Sequence, residues 1–199
     1  MIAPGLRLPV ALTALVLAAL LASGIAPHDR LTWWLEIAPV LIVLPLAWTL
    51  RQRFPLTPLL QLLLTLHAIV LIVGGAWTYA RVPFGFWLQD LFELSRNPYD
   101  KIGHFLQGVT PALFMREFLL RSERVRGTGL AAALSVSVAL AFSAIYELIE
   151  WISALLLGQG ADEFLGTQGD VWDTQSDMAL ALLGAVLALL LIRRKWTAA

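Results

Sequence analysis

The chain has 199 residues, of which 59% are hydrophobic and only 14% are charged, and its mean hydropathy is +0.76. Soluble domains average about 25% charged residues, so this composition excludes an ordinary soluble domain and predicts a chain solvated mostly by lipid. The formal net charge is zero and no basic patch contains interleaved aromatic residues, which argues against a nucleic-acid partner. Cysteine is absent, and this excludes disulfides, thiolate metal ligands and a cysteine nucleophile.

Six apolar stretches are long enough to cross a bilayer, because a spanning helix needs about 20 mostly apolar residues. No linker, low-complexity tract or internal repeat separates them, so we predict a single polytopic transmembrane domain over residues 1–199. The expected fold class is an all-α membrane protein, a bundle of six transmembrane helices. The first stretch also fits a signal peptide, because it has a basic Arg7 and small residues at its end. The predicted spans are residues 6–24, 31–50, 55–79, 100–120, 130–157 and 176–192.

Between the third and fourth predicted spans, residues 82–98 predict a short amphipathic helix in the outer interface of the membrane. Pro83 stands near the start of this segment, and aromatic and leucine residues are interspersed there with Asp90 and Glu93. Such an element would roof an acidic pocket, admit a lipid sideways, or serve only as a connector. The sequence leaves these alternatives open.

The distribution of charge predicts the orientation of the chain. With six spans, the two termini and the second and fourth loops share one side, which carries ten of the fourteen basic residues. The opposite side carries twelve of the fourteen acidic residues. Because cytoplasmic loops are enriched in Lys and Arg, both termini are predicted to be cytoplasmic. The ten basic residues are Arg7, Arg51, Arg53, Arg116, Arg121, Arg124, Arg126, Arg193, Arg194 and Lys195.

Acidic residues gather at the non-cytoplasmic ends of the last three predicted spans. They recur at spacings of three or four residues, so that those of one helix share a face. A carboxylate facing lipid near the centre of a span costs about 2.5 to 3.5 kcal/mol, so these side chains are expected to face a partner. Lys101 and Arg96 are the expected basic partners, and the carboxylates outnumber them. The candidate metal ligands are Asp100, His104, Glu147, Glu150, Asp170, Asp173 and Asp177.

The excess of carboxylates predicts a divalent cation, and carboxylate oxygens with one imidazole suit zinc, manganese, iron or magnesium. Simpler roles stay open. Asp100 and Asp173 also fit the capping position of a helix N-terminus, where an aspartate favours the helix dipole. For Glu147 and Glu150, which lie inside a span, the alternative is a structural hydrogen-bonded network.

The chain contains several long motifs, namely NPYDKIGHF at 97–105, Arg116-Glu117, YELIEW at 146–151, FLGTQGDVWDTQ at 164–175 and Asp177-Met178. These motifs resemble those of the YjdF-like inner membrane proteins of bacteria, and the similarity extends over nearly the whole chain. The resemblance implies an inner-membrane location and no particular reaction. A shorter similarity, Asp100-Lys101 followed by His104 at the start of a helix, is to VanZ-like membrane proteins and points to cell-envelope or lipid chemistry.

Three kinds of function fit these residues. In the first, a bound metal activates water and Glu147, Glu150 or Asp173 takes the proton, in a hydrolase or transferase acting on a lipid or lipid-linked envelope precursor. In the second, the carboxylates form a cation or proton site of a transporter, and a homodimer supplies the two-fold architecture that the sequence lacks. In the third, the acids form a network in a structural or assembly protein. The HExxH, paired Glu-x-x-His and Gly-x-Ser-x-Gly motifs are absent, so no standard catalytic template is met.

Overall fold

The computed structural model describes residues 4–157 and 168–192, and a 3-10 turn at Pro4–Leu6 precedes seven α-helices in that part of the chain. Residues 164–167 of the longest motif lie outside the described residues. So do Arg193, Arg194 and Lys195, which contributed to the predicted orientation. The helices are α1 (Arg7–Ile25), α2 (Arg30–Leu50), α3 (Pro58–Ala76), α4 (Pro83–Leu91), α5 (Tyr99–Arg121), α6 (Thr128–Leu157) and α7 (Asp173–Leu191).

Five helices of the described residues are long and apolar enough to cross a membrane, namely α1, α2, α3, α6 and α7. They coincide with five of the six predicted spans, and the chain is an all-α protein with several spanning helices. The sixth predicted span coincides with α5, whose 23 residues give it sufficient length. Asp100, Lys101 and His104 in its first turns, and Arg116 and Glu117 near its end, make α5 more polar than the other five.

Large apolar side chains cover the outside of the helices. The side chains of Leu21, Leu156 and Leu191 are 75%, 79% and 81% exposed. Apolar surface of this kind on many helices is unfavourable in water but is in contact with hydrocarbon in a bilayer. Glu36 shows the opposite placement, because it lies in the middle of α2 and is buried.

The chain divides into two compact units, Met1–Asp100 and Lys101–Ala199, and the division falls in the first turn of α5. That the two form a single domain, as expected from the sequence, stays a prediction.

In the first unit, hydrogen bonds between helices satisfy polar groups that lipid cannot satisfy. For example, Trp33 Nε1 in α2 donates to Ser23 Oγ in α1 at 3.0 Å. The apolar core of this unit consists of Val16, Leu20, Trp33, Ile37, Val40 and Ile72.

The connection from α4 to α5 is held in place by buried polar residues. Asn97 Nδ2 donates to the carbonyl oxygen of Val82, and Asn97 Oδ1 accepts from the backbone N–H of Tyr99, both at 3.0 Å. The hydroxyl of Tyr99 donates to the carbonyl oxygen of Val70 at 3.2 Å. A Cβ at Gly85 would overlap the amide of Asn97, so glycine lets α4 approach this residue. These contacts determine where α5 begins.

The start of α2 is capped by Asp29, whose Oδ1 accepts a hydrogen bond from the backbone N–H of Thr32 at 2.7 Å. Backbone hydrogen bonding from Thr32 is the main reason that the pKa of Asp29 lies below its usual 3.8, and partial burial acts in the opposite direction. Asp29 precedes the apolar helix and lies outside the spanning segment.

Replacing Asp29 with Ala should lower the free energy of unfolding by about 1 kcal/mol, because the N–H of Thr32 loses its acceptor. A lowered folded-state pKa means that the charged cap stabilises above the unfolded-state pKa, and that this stabilisation is lost as the pH falls through the folded-state pKa. Denaturation in detergent at several pH values should therefore show the full difference at about pH 7 and a smaller one below about pH 4. A difference that stays constant down to about pH 2 would contradict a charged cap.

In the second unit, α5 and α7 run in the same direction and cross with their backbones in contact. A Cβ at Gly108 would overlap the carbonyl oxygen of Ala181, and a Cβ at Gly184 would overlap the carbonyl oxygen of Phe105. Small residues at crossings allow helices in membranes to approach this closely. The last turns meet where Arg116 Nη1 donates to the carbonyl oxygen of Ile192 at 3.0 Å.

We expect Gly108→Ala to lower the free energy of unfolding by about 1 to 3 kcal/mol, since the added methyl group forces the two backbones apart. Gly129→Ala is the matched control, because a Cβ at Gly129 in the first turn of α6 meets nothing within 4 Å. The control should be neutral or stabilising by up to about 1 kcal/mol. Equal losses in the two variants, measured by thermal unfolding in detergent, would rule out the close crossing.

Candidate functional site

Lys101 joins the first turns of α5 and α7. Its Nζ donates to Asp173 Oδ1 at 2.7 Å, to Ser176 Oγ at 2.7 Å and to Asp177 Oδ1 at 2.6 Å. An ammonium group carries three hydrogens, enough to donate one to each of these three acceptors. The side chains of Asp173 and Asp177 are only 9% and 2% exposed, so the lysine neutralises carboxylates that water barely reaches.

The sequence of α7 explains why these three acceptors lie together. Asp173, Ser176 and Asp177 are spaced by three and four residues, so they share one face of the helix. The N-cap position is occupied by Trp172, and Asp173 is the first helical residue. The carboxylate of Asp173 therefore binds Lys101 and does not act as the N-cap, which was its alternative role in the sequence.

His104 lies one turn after Lys101 on α5 and is buried. Its Nδ1 is 2.9 Å from Gln107 Oε1. An amide oxygen only accepts hydrogen bonds, so Nδ1 donates and the lone pair of the neutral ring is on Nε2. Nε2 faces Asp177 Oδ2 at 3.8 Å, and the edge of the ring meets Tyr146.

Glu147, in α6, lies beside His104. It is buried, and its Oε1 is 3.6 Å from Nδ1 of His104. Glu147, His104 and Asp177 thus form a row of titratable side chains from three helices. The acids Glu147, Asp173 and Asp177 outnumber the cations Lys101 and His104, even with the histidine protonated.

Three of the predicted ligands form the tightest group. One ligand atom each from Asp100, His104 and Asp177 lies within 4.8 Å of the other two, a spacing that could hold a metal ion. Asp100 precedes His104 by one turn in the same helix.

The other predicted residues are placed differently. Asp170 Oδ1 accepts a hydrogen bond from the backbone N–H of Trp172 at 2.9 Å and closes the turn before α7. Glu150 lies one turn beyond Glu147 on α6 and is half-buried.

Sequence reasoning did not single out Gln107, Tyr146 and Ser176. Helical spacing was the signal that could have identified two of them, because Gln107 follows His104, and Ser176 follows Asp173, by three residues. Glu36 was also missed, although a lone acid in an apolar span is itself a signal of function or pairing.

Comparison with known proteins identifies the family of this chain. The family model described as "Predicted membrane protein (DUF2238)" matches residues 8–197. The chain belongs to this family. The inner membrane protein YjdF of Escherichia coli (strain K12) is 58% identical over 175 residues, which cover 88% of this chain and 84% of that protein. No solved structure matches the chain.

The family membership confirms the resemblance predicted from the motifs. Together with the apolar helices, it makes the chain a multi-pass protein of the bacterial inner membrane. The residues grouped around Lys101 and His104 all lie within the matched residues 8–197. They are Asp100, Glu147, Asp173, Ser176 and Asp177.

Lys101→Met should lower the free energy of unfolding by about 3 kcal/mol, because it leaves two buried carboxylates without their ammonium group. Adding Asp173→Asn to this variant should restore part of the loss by removing one of the two repelling charges. The measurement is a double-mutant cycle by denaturation in detergent.

Arg126→Met, at an exposed position between α5 and α6, is the control for loss of a cation and should change stability by less than about 0.5 kcal/mol. A Lys101→Met effect no larger than that of the control would show that Lys101 does not stabilise the two aspartates.

Proposed function

We propose that the second unit binds a divalent cation between His104 and Asp177, in a metal-dependent hydrolase or transferase acting on a lipid headgroup or lipid-linked envelope precursor. The supporting observation is the 3.8 Å separation between Nε2 of His104 and Oδ2 of Asp177. With Nδ1 donating to Gln107 and the ring neutral, Nε2 turns its lone pair toward this carboxylate oxygen, and a cation or proton between the two atoms would make their contact favourable. A tetrahedral cation at about 2 Å from each atom would hold them about 3.4 Å apart, so only a small shift of the side chains is needed.

The other contacts of the two ligands support metal binding. Lys101 holds Asp177 through Oδ1, and Gln107 holds His104 through Nδ1, so each ligand is oriented by its second polar atom. Glu147 lies near Nδ1, where a carboxylate increases the basicity of a metal-bound imidazole. With Asp100 as a third ligand, the donor set suits zinc, manganese, iron or magnesium.

Hydrolysis or transfer also needs a group that accepts a proton from metal-bound water or from the attacking hydroxyl. Glu147 and Asp173 are buried beside the ligands, and Glu150 is half-buried one turn beyond Glu147. We assign the role of proton acceptor to this group of three carboxylates. Asp173 differs from the other two in its contact with the ammonium of Lys101, at 2.7 Å.

In this proposal α5 is the sixth span, both termini are cytoplasmic and the site faces the opposite side. The first turns of α5 and α7 meet at Lys101, while Arg116 and Arg121 lie at the other end of α5, as the positive-inside rule requires for a cytoplasmic end. We place α4 in the membrane interface. Its exposed Phe84 and Trp87 rings, which stack at 5.5 Å, give it an apolar face.

A second candidate function is a proton or cation site of a transporter. The row Glu147, His104 and Asp177 favours it, because adjacent titratable side chains inside a membrane are typical of proton relays. The homodimer that such a protein would use stays a prediction.

Metal analysis of the purified full-length chain tests the proposal. We expect about one divalent cation per chain, and less than about a tenth of that in His104→Ala and Asp177→Asn. Glu147→Gln should keep the site but weaken its affinity by about 10- to 100-fold, because it alters only the orientation of His104. Asp170→Asn is the matched control and should keep the metal, since Asp170 closes a backbone turn.

The results separate the three kinds of function. A protein without metal whose stability depends on pH through Glu147 and His104 would favour the transporter. Indifference to metal, pH and both substitutions would favour a structural network. Loss of metal in Asp170→Asn equal to that in Asp177→Asn would contradict the ligands assigned from the geometry.

A further inference from the structure

The first unit contains a cavity of about 310 Å³ between α1, α2 and α3. Pockets that bind small organic ligands begin at about 300 Å³. At one end the wall includes Arg51 and Gln52, which are exposed, and further in it includes Leu12, Leu44 and the buried Val16. The cavity thus combines a polar, basic mouth with an apolar interior, which is the pattern that an amphiphile fits.

Arg51 is held at the mouth by Trp48. Its Nη1 donates to the carbonyl oxygen of Trp48 at 2.5 Å, and its guanidinium lies 5.1 Å from the centre of the indole ring. The indole is itself fixed, because Nε1 donates to Thr13 Oγ1 at 2.8 Å. A guanidinium has five N–H donors in one plane, and these match two oxygens of a phosphate.

Gln61 supplies a second polar group of the cavity wall. Its Nε2 donates to the carbonyl oxygen of Leu56 at 2.7 Å. Its Oε1 is buried and accepts no hydrogen bond within the described part of the chain. Leaving a buried acceptor without a donor is unfavourable, so an occupant with a hydroxyl group would be favoured here.

We propose that this cavity binds an anionic phospholipid with a hydroxylated headgroup. One acyl chain occupies the apolar interior, the phosphate binds Arg51, and a headgroup hydroxyl donates to Oε1 of Gln61. Arg7 at the start of α1 is also exposed, and it adds positive charge to one of the elements that form the mouth. Basic pockets between membrane helices bind anionic headgroups in this way.

Lipid binding to the full-length protein in detergent tests this proposal, with phosphatidylglycerol and phosphatidylcholine of identical acyl chains as probes. Native mass spectrometry should show about tenfold preference for phosphatidylglycerol, and Arg51→Gln should remove it. Arg53→Gln is the matched control, because Arg53 is exposed and is not part of the wall. No preference in the native protein, or equal losses in both variants, would overturn the proposal.

Two further variants separate the parts of the site. Gln61→Leu should abolish discrimination between phosphatidylglycerol and phosphatidic acid, which lacks the hydroxylated headgroup, while keeping the charge preference. Ala47→Leu narrows the cavity and should reduce retention of phosphatidylglycerol several-fold with Arg51 intact. Unchanged binding in Ala47→Leu, with thermal stability equal to the native protein, would place the lipid outside the cavity.

Discussion

The contact between Lys101 and the two aspartates of α7 makes it possible to bury carboxylates in this part of the protein. Because the ammonium donates to three acceptors on one face of α7, it also determines the register between α5 and α7. The backbone crossing at Gly108 and Gly184 is compatible with that register. With Oδ1 of Asp177 bound to Lys101, Oδ2 is turned toward His104, so one interaction both stabilises the helix pair and shapes the candidate site.

The buried carboxylates of the candidate site outnumber the lysine and the histidine beside them. The second unit places Asp173, Asp177 and Glu147 beside one lysine and one histidine, and burial makes any uncompensated charge expensive. Protonating His104 would reduce the negative excess and would turn an N–H of Nε2 toward Asp177. The divalent cation that we propose would compensate the charge with the ring neutral.

Much of the architecture could be predicted from the sequence because hydropathy and spacing are local properties. The five apolar spans and the presence of a helix within residues 82–98 agree with the structure. The last helix begins at Asp173, three residues before the predicted span. The composition of the site was less predictable. Whether Asp170 or Asp173 reaches Lys101 depends on where α7 begins, to within one turn. Lys101 binds two acids that lie more than 70 residues away in the sequence. This pairing depends on the close packing of α5 and α7 at Gly108 and Gly184, which no local sequence pattern predicts.

Gln107 helps to distinguish between a cation and a proton relay. Its amide oxygen takes the hydrogen of Nδ1, so a proton arriving at His104 must bind at Nε2 and then pass to Asp177. At 3.8 Å, Oδ2 of Asp177 is beyond hydrogen-bonding distance, and direct transfer would require the two atoms to approach by about 0.6 to 1 Å. The crossing of α5 and α7 is already in backbone contact and opposes such an approach. A cation bonded to both atoms at about 2 Å with a tetrahedral angle would bring them to about 3.4 Å. This is a smaller movement, and it supports the proposed metal site over direct proton transfer.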